Sequence, residues 1–271
     1  MLTMEHRKPT KINLLLQKWP YGTIVVQAWL EQQGISRNLA HVYQIYQWLQ
    51  PVGRGIYIRP NDQIDWTGAV FALQQELDLE IHVGATTALA MLGYSHNIQL
   101  QGKEHIWLMK PYTEKRHTPT WFKKYMFQNN ITYITKTLFT KWQLGFKDLA
   151  IKQYSVKISS AERAIIECLY LTPKYLNLQD VAILMEKLRT LRPRLLQDLL
   201  EACTSYKTKR LFLYLAEVQQ HSWYKKLNLD NINLGKGKIS IIPGGKFITK
   251  YNMTIEDLNN HEGYNIDAAN V

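Results

Sequence analysis

Two short amphipathic segments separated by a single glycine constrain this chain more than any other feature. Residues 24–33 (IVVQAWLEQQ) repeat apolar side chains at Val25, Val26, Trp29 and Leu30, and residues 36–48 (SRNLAHVYQIYQW) repeat them at Leu39, Val42, Tyr43 and Tyr46. Recurrence every three or four residues is helical. Gly34 can take the positive φ that ends one helix, and Ser36 carries the side-chain oxygen that caps the next. Helix, glycine turn and helix form a helix-turn-helix pattern. On its second helix Arg37, His41, Gln44 and Trp48 fall about half a turn from the apolar stripe, so one face packs and the other is offered to a partner.

The next ten residues sharpen the pattern. Residues 49–58 (LQPVGRGIYI) have the composition of two short strands around a Gly-Arg-Gly turn, and a hairpin directly after a helix-turn-helix is a winged helix. In that geometry Ser36, Arg37, Asn38, His41 and Gln44 face a major groove, where Arg suits guanine and Asn or Gln suits adenine. Arg54 at the wing tip and Tyr57 behind it complete the expected DNA-contacting set. The first 61 residues carry seven Lys or Arg against two acidic residues.

Charge divides the rest of the chain. Residues 62–101 hold five acidic residues and no Lys or Arg, residues 102–157 hold eleven basic and three acidic, and residues 158–271 hold fifteen and twelve. The turn at Arg59-Pro-Asn-Asp-Gln63 is the expected boundary between a DNA-binding domain, 1–61, and a larger domain, 62–271, with possible subregions 62–158 and 159–271. The fold class expected is α+β, with β structure in the middle and helices toward the C-terminus. Residues 66–79 and 85–92 read as helices, 105–109, 131–135 and 151–158 as strands, and 160–219 as mainly helical. A last strand pair is expected at 238–242 and 247–251, and a loose polar tail from Asn259.

The net charge of +11 favours a polyanionic partner. Cys168 and Cys203 sit in apolar helical patterns and read as reduced core thiols. The first residues lack an apolar segment and no apolar run reaches bilayer-spanning length, so the expectation is a cytoplasmic protein without a membrane partner. Nothing in the spacing of the eight histidines suggests a metal, and no nucleotide or other cofactor motif is complete; the GKGK at 235–238 lacks a phosphate-loop signature. Ser159 and Glu162 read as a capping box. No catalytic constellation emerges, so the chain is not expected to be an enzyme.

Several blocks, taken in order, resemble the AbiEi antitoxin family: VGRGIY at 52–57, GATTALAMLG at 84–93, PTWF at 119–122, SSAERAIIECL at 159–169, LRPRLLQDLLE at 191–201, KTKRLFLYLAE at 207–217 and LDNINLGKGK at 229–238. The resemblance implies a type IV toxin–antitoxin system of abortive infection, a phage defence. It implies a winged helix that represses the protein's own operon at inverted repeats, and a C-terminal domain that counteracts a nucleotidyltransferase toxin, with direct contact between the two proteins left open. The cationic residues Arg189, Arg192, Arg194, Lys207, Lys209 and Arg210 form the candidate antitoxin or anion-binding face. Two alternatives stay open: a regulator whose C-terminal domain senses a ligand or protein, and a nucleic-acid-processing enzyme using Asp148, Glu162 or Glu167 with Lys157.

Overall fold

The computed structural model describes residues 9–94, 105–125 and 130–258. These fall into two compact units: residues 9–82, 114–125, 130 and 148–157 make one, and residues 83–94, 105–113, 131–147 and 158–258 make the other.

The first unit opens with α1 (Lys11–Lys18), capped by Thr10, whose hydroxyl accepts the Asn13 N–H at 3.4 Å. Then come β1 (Val25–Val26), α2 (Gln27–Gln32), α3 (Arg37–Ile45), β2 (Gln50–Gly53) and β3 (Ile56–Ile58). The strands form an antiparallel sheet in the order β1-β3-β2, with Val25 opposite Tyr57 and Val26 opposite Ile56. Helix, strand, two helices and a hairpin is the winged-helix order. Its core gathers Ile12, Leu15 and Trp19 from α1 and its end with Leu30, Ile35, Ala40, Tyr43 and Leu49. The wing turns at Arg54-Gly55, where Gly55 has φ +70° and a bulge lies between Pro51 and Gly53.

Two local expectations are corrected by this arrangement. The segment 24–33 is helical only from Gln27; Val25 and Val26 are buried on a sheet, where β-branched side chains fit and the backbone finds ladder partners. The turn at 59–63 also does not end the unit. Arg59 is buried, donates to the Leu16 and Trp19 carbonyls and lies over the Tyr21 ring at 4.0 Å. Beyond it, Asp65 caps α4 (Trp66–Phe71), which runs into a π-helical turn, Ala72–Glu76. Gly68 of α4 packs so tightly that a β-carbon there would lie 1.8 Å from the Gly22 carbonyl oxygen. Glu76 accepts the Val26 N–H at 2.8 Å. The short helix α5 (Ala85–Met91) follows in the second unit, and α6 (Thr120–Tyr125) lies among the residues that return to the first.

The second unit contains β4 (His82–Val83) from Val83, α5, β5 (His105–Lys110), β6 (Asn130–Thr135) and the ends of β7 (Phe146–Ile151) and β8 (Tyr154–Ser159), aligned in the order β6-β5-β4-β8-β7. Val83 and Ile158 pair in parallel. The stretch expected as one strand at 151–158 is instead the end of β7, a turn with Lys152 at φ +53°, and β8. Helices follow: α7 (Ala161–Leu171), α8 (Leu178–Glu186), α9 (Pro193–Ala202) and α10 (Tyr206–Val218).

α7 is the hub of this unit. Its Arg163 and Glu167 form a fully buried pair at 2.8 Å. Arg163 also donates to the Trp142 and Leu144 carbonyls at 2.6 Å each, and Glu167 accepts from the Ser159 hydroxyl at 2.7 Å and the Ala85 N–H at 3.1 Å. A buried charge pair is tolerated only when its remaining hydrogen-bonding capacity is met in this way. Ser160, not Ser159, is the N-cap of α7. The closing sheet differs from expectation as well: β9 (Ile239–Ser240) and β10 (Lys246–Ile248) do not pair, because β11 (Met253–Ile255) lies between them, parallel to β9 and antiparallel to β10. The tail from Asn259 lies outside the described residues. Both cysteines are buried free thiols, which burial pushes up from the usual thiol range.

Candidate nucleic-acid interface

Gly34 takes φ +78°, and the Ser36 hydroxyl accepts the Leu39 N–H at 3.3 Å, so glycine turn and cap start α3 where the sequence places them. The helix then shows a face rotated from the expected one. Ala40 and Tyr43 are buried and Leu39 is half-buried, whereas Arg37, Asn38, His41, Val42 and Ile45 are exposed. Gln44, expected on the outer face, is half-buried and donates to the Ala40 carbonyl at 3.4 Å. Val42 and Tyr46, expected in the core, are exposed instead. The difference has a physical origin. The helix ends at Ile45 and Gln47 takes φ +55°, so a helical wheel drawn through Trp48 misplaces Tyr46 and Trp48. Within the helix the core is built on Ala40 and Tyr43, which turns Val42 outward and Gln44 partly inward. Trp48 returns to stack on Tyr46, with ring centroids 5.6 Å apart.

A hydrogen-bond chain fixes α3 relative to the wing. The Tyr57 hydroxyl donates to Gln27 at 3.2 Å, Gln27 donates to Glu31 at 3.3 Å, and Glu31 pairs with Arg37 at 3.3 Å. The Gln27 N–H donates to the carbonyl of Gly55 in the wing turn at 2.8 Å. Tyr57 is therefore a buried strut of this unit, its hydroxyl pushed up by burial, and not an exposed contact. Arg37 and Arg54 both line a cleft of about 470 Å³ beside Tyr57, Pro119 and Trp121. Two cations on one concavity, next to an exposed helix face that carries an amide and an imidazole, can hold phosphates and read base edges.

The expected cationic face in the second unit divides. Arg189, Arg192 and Arg194 are exposed. Arg192 grips Glu162 through Nε at 2.9 Å and a second guanidinium nitrogen at 3.0 Å; burial alone would raise the Glu162 carboxyl, but these bonds outweigh it and hold the group down at about 2. Glu162 is thus engaged by Arg192 instead of closing a capping box. Lys209 and Arg210 are 3% and 2% exposed. Arg210 donates to four carbonyls: Nε to that of Leu234 at 2.8 Å, and the other two nitrogens to those of Gly235, Gly237 and Asn252 at 2.7–3.0 Å. Lys207 donates to the Tyr170 and Thr172 carbonyls. Lys207 and Arg210 tie α10 to its neighbours, and Lys209 is buried beside the Tyr206 ring, 5.6 Å from its centroid. Among the described residues no three His, Cys, Asp or Glu side chains group as metal ligands would, and no helix is long and apolar enough to cross a membrane.

Family models match both parts of the chain. A model of the AbiEi antitoxin N-terminal domain, described as a transcriptional regulator, matches residues 8–100, and one of the AbiEi antitoxin, a transcriptional regulator of type IV toxin–antitoxin systems, matches residues 103–256. The chain belongs to the AbiEi antitoxin family. The winged helix falls inside the N-terminal match, and the helices α7 to α10 inside the second. The crystal structure of the RV2827C protein from Mycobacterium tuberculosis shares the fold with this AbiEi chain at a TM-score of 0.53 and 13% sequence identity, over 92% of each chain. No curated protein matches the sequence.

Proposed function

We propose that this antitoxin represses its own operon by setting α3 into the major groove of an operator built on inverted repeats, with the Arg54 wing tip on the flanking backbone. The observation that carries the reading is the coincidence of Arg37, Asn38 and His41 on the exposed face of a capped recognition helix with Arg54 on the adjoining wing. Arg37 leaves its exposed pair with Glu31 on binding. That exchange is inexpensive, because an exposed ion pair holds little free energy.

The same protein counteracts a nucleotidyltransferase toxin through the second unit without catalysis of its own, acting in the cytoplasm. Exposed Arg189 and Arg194 are the cations of the expected face offered for this role, since Arg192 is held by Glu162. The reading is tested in cells that carry the toxin and a reporter driven by the antitoxin's own promoter. Arg37→Ala with Arg54→Ala is expected to release the reporter while rescue from the toxin persists, and Arg189→Glu with Arg194→Glu is expected to do the reverse. Repression and rescue lost together by either folded variant would contradict the division.

A further inference from the structure

Ile45 is 66% exposed and Val42 40%, on the helix face that carries Arg37, Asn38 and His41. At about 100° per residue, Ile45 lies near the middle of the arc these residues span, one turn below His41 and Val42 and opposite buried Ala40 and Tyr43. Single apolar residues on a surface need no account. Two that are neighbours three residues apart, set among hydrogen-bonding side chains on the most accessible face of a recognition helix, form a stripe that specifies its partner. The partner must be anionic, since Arg37 lies on the same exposed face of α3, Arg54 lines a cleft with Arg37, and residues 1–61 hold seven basic against two acidic residues. It must also offer small apolar groups between hydrogen-bonding ones. In the major groove the thymine C5 methyl is that group.

We propose that Val42 and Ile45 determine sequence specificity by packing against thymine methyl groups of the operator. The inference rests on the reading that α3 enters the major groove, and it names the bases there. Asn38 and Ile45 are seven residues apart, about 10.5 Å of helix rise, which corresponds to about three base-pair steps. Each half-site therefore carries one thymine about three steps from the base that Asn38 reads, opposite Ile45, and another about two steps from that base, opposite Val42 four residues on.

The test uses the full chain and a duplex of its own promoter, with each thymine of the footprint replaced in turn by deoxyuridine, which pairs identically and lacks only the methyl. Two positions per half-site are expected to weaken wild-type binding by about three- to fivefold each. Ile45→Ala and Val42→Ala, both exposed and so expected to fold normally, should lose a similar factor on the thymine duplex and lose nothing more at their own deoxyuridine position. Tight binding that no deoxyuridine disturbs, or variants as sensitive to deoxyuridine as wild type, overturns the proposal. Unchanged DNA binding by Ile45→Ala together with a change in self-association or toxin rescue overturns it too and makes the stripe a protein contact. If Arg37→Ala and Asn38→Ala are also without effect on DNA, the groove reading itself fails.

Discussion

Single side chains in this protein divide by whether their hydrogen bonds are spent inside the fold. Arg210 and Arg37 are the extremes: one donates to four carbonyls, the other stands in solvent beside one carboxylate. Arg210→Ala removes a buried side chain and strips donors from four partly buried carbonyls, so it is expected to cost about 3 kcal/mol or more, whereas Arg37→Ala should stay within about 0.5 kcal/mol. Urea denaturation of the two variants checks the contrast; equal midpoints would contradict it. Glu76 gives a prediction in pH. Burial raises its carboxyl from 4.5 to about 8, against the lowering effect of the Val26 N–H it accepts. The folded state holds this proton more tightly than the unfolded chain, so the associated stability is complete below the unfolded value and is lost as pH rises through about 8. Glu76→Gln keeps an acceptor for Val26 and removes the titration. It should gain on wild type between about pH 5 and pH 9, by on the order of a few kcal/mol, in paired urea titrations. Parallel pH profiles for the two proteins would sink the assignment.

Elements are legible in the sequence where a local signal fixes a backbone angle or a cap. Gly34, Ser36 and the Gly-Arg-Gly turn announce the helix-turn-helix and wing, and the structure has them at those residues. α1 is signalled in the same way, by the Thr10 cap and by Ile12, Leu15, Leu16 and Trp19 at helical spacing, but the expected elements begin only at residue 24 and leave it out. The rotated face of α3, by contrast, is hidden. Val42 and Ile45 are apolar yet exposed, and periodicity assigns apolar residues to the core because it sees packing and not partners. The cations of α10 mislead in the opposite sense: nothing in KTKR shows that loop carbonyls 24–42 residues later will surround Arg210. At this scale Gly68→Ala is the sharp test, since its β-carbon would collide with the Gly22 backbone. It should lower the melting temperature by several degrees through a loss of about 2 kcal/mol or more; an unchanged melt by circular dichroism would show that α4 can shift away.

Across the whole molecule, charge segregation suggests a cut at residues 59–63, but the first compact unit gathers, among the described residues, 9–82, 114–125, 130 and 148–157. Composition cannot reveal that distant segments return to one unit. Within it, the Gly22 N–H donates to Asp62, Gln74 exchanges hydrogen bonds with the backbone of Lys157, and Thr67 bonds the Tyr154 hydroxyl. A fragment ending at residue 61 loses all of these and the Glu76 acceptor. It should therefore melt well below the full chain and show weakened DNA binding even though α3 and the wing are intact, an outcome that amide-proton dispersion and thermal melting would read directly. The central claim is that α3 and its wing form the operator-reading surface, and fluorescence anisotropy of the full chain on its own promoter and on a scrambled duplex, at several salt concentrations, tests it most directly. The account predicts that Arg37→Ala with Asn38→Ala weakens promoter binding about tenfold or more while leaving scrambled DNA nearly unchanged, and that Arg54→Ala weakens both and lowers the salt slope by about one; a folded Arg37→Ala/Asn38→Ala protein that binds the promoter as tightly as wild type would contradict it.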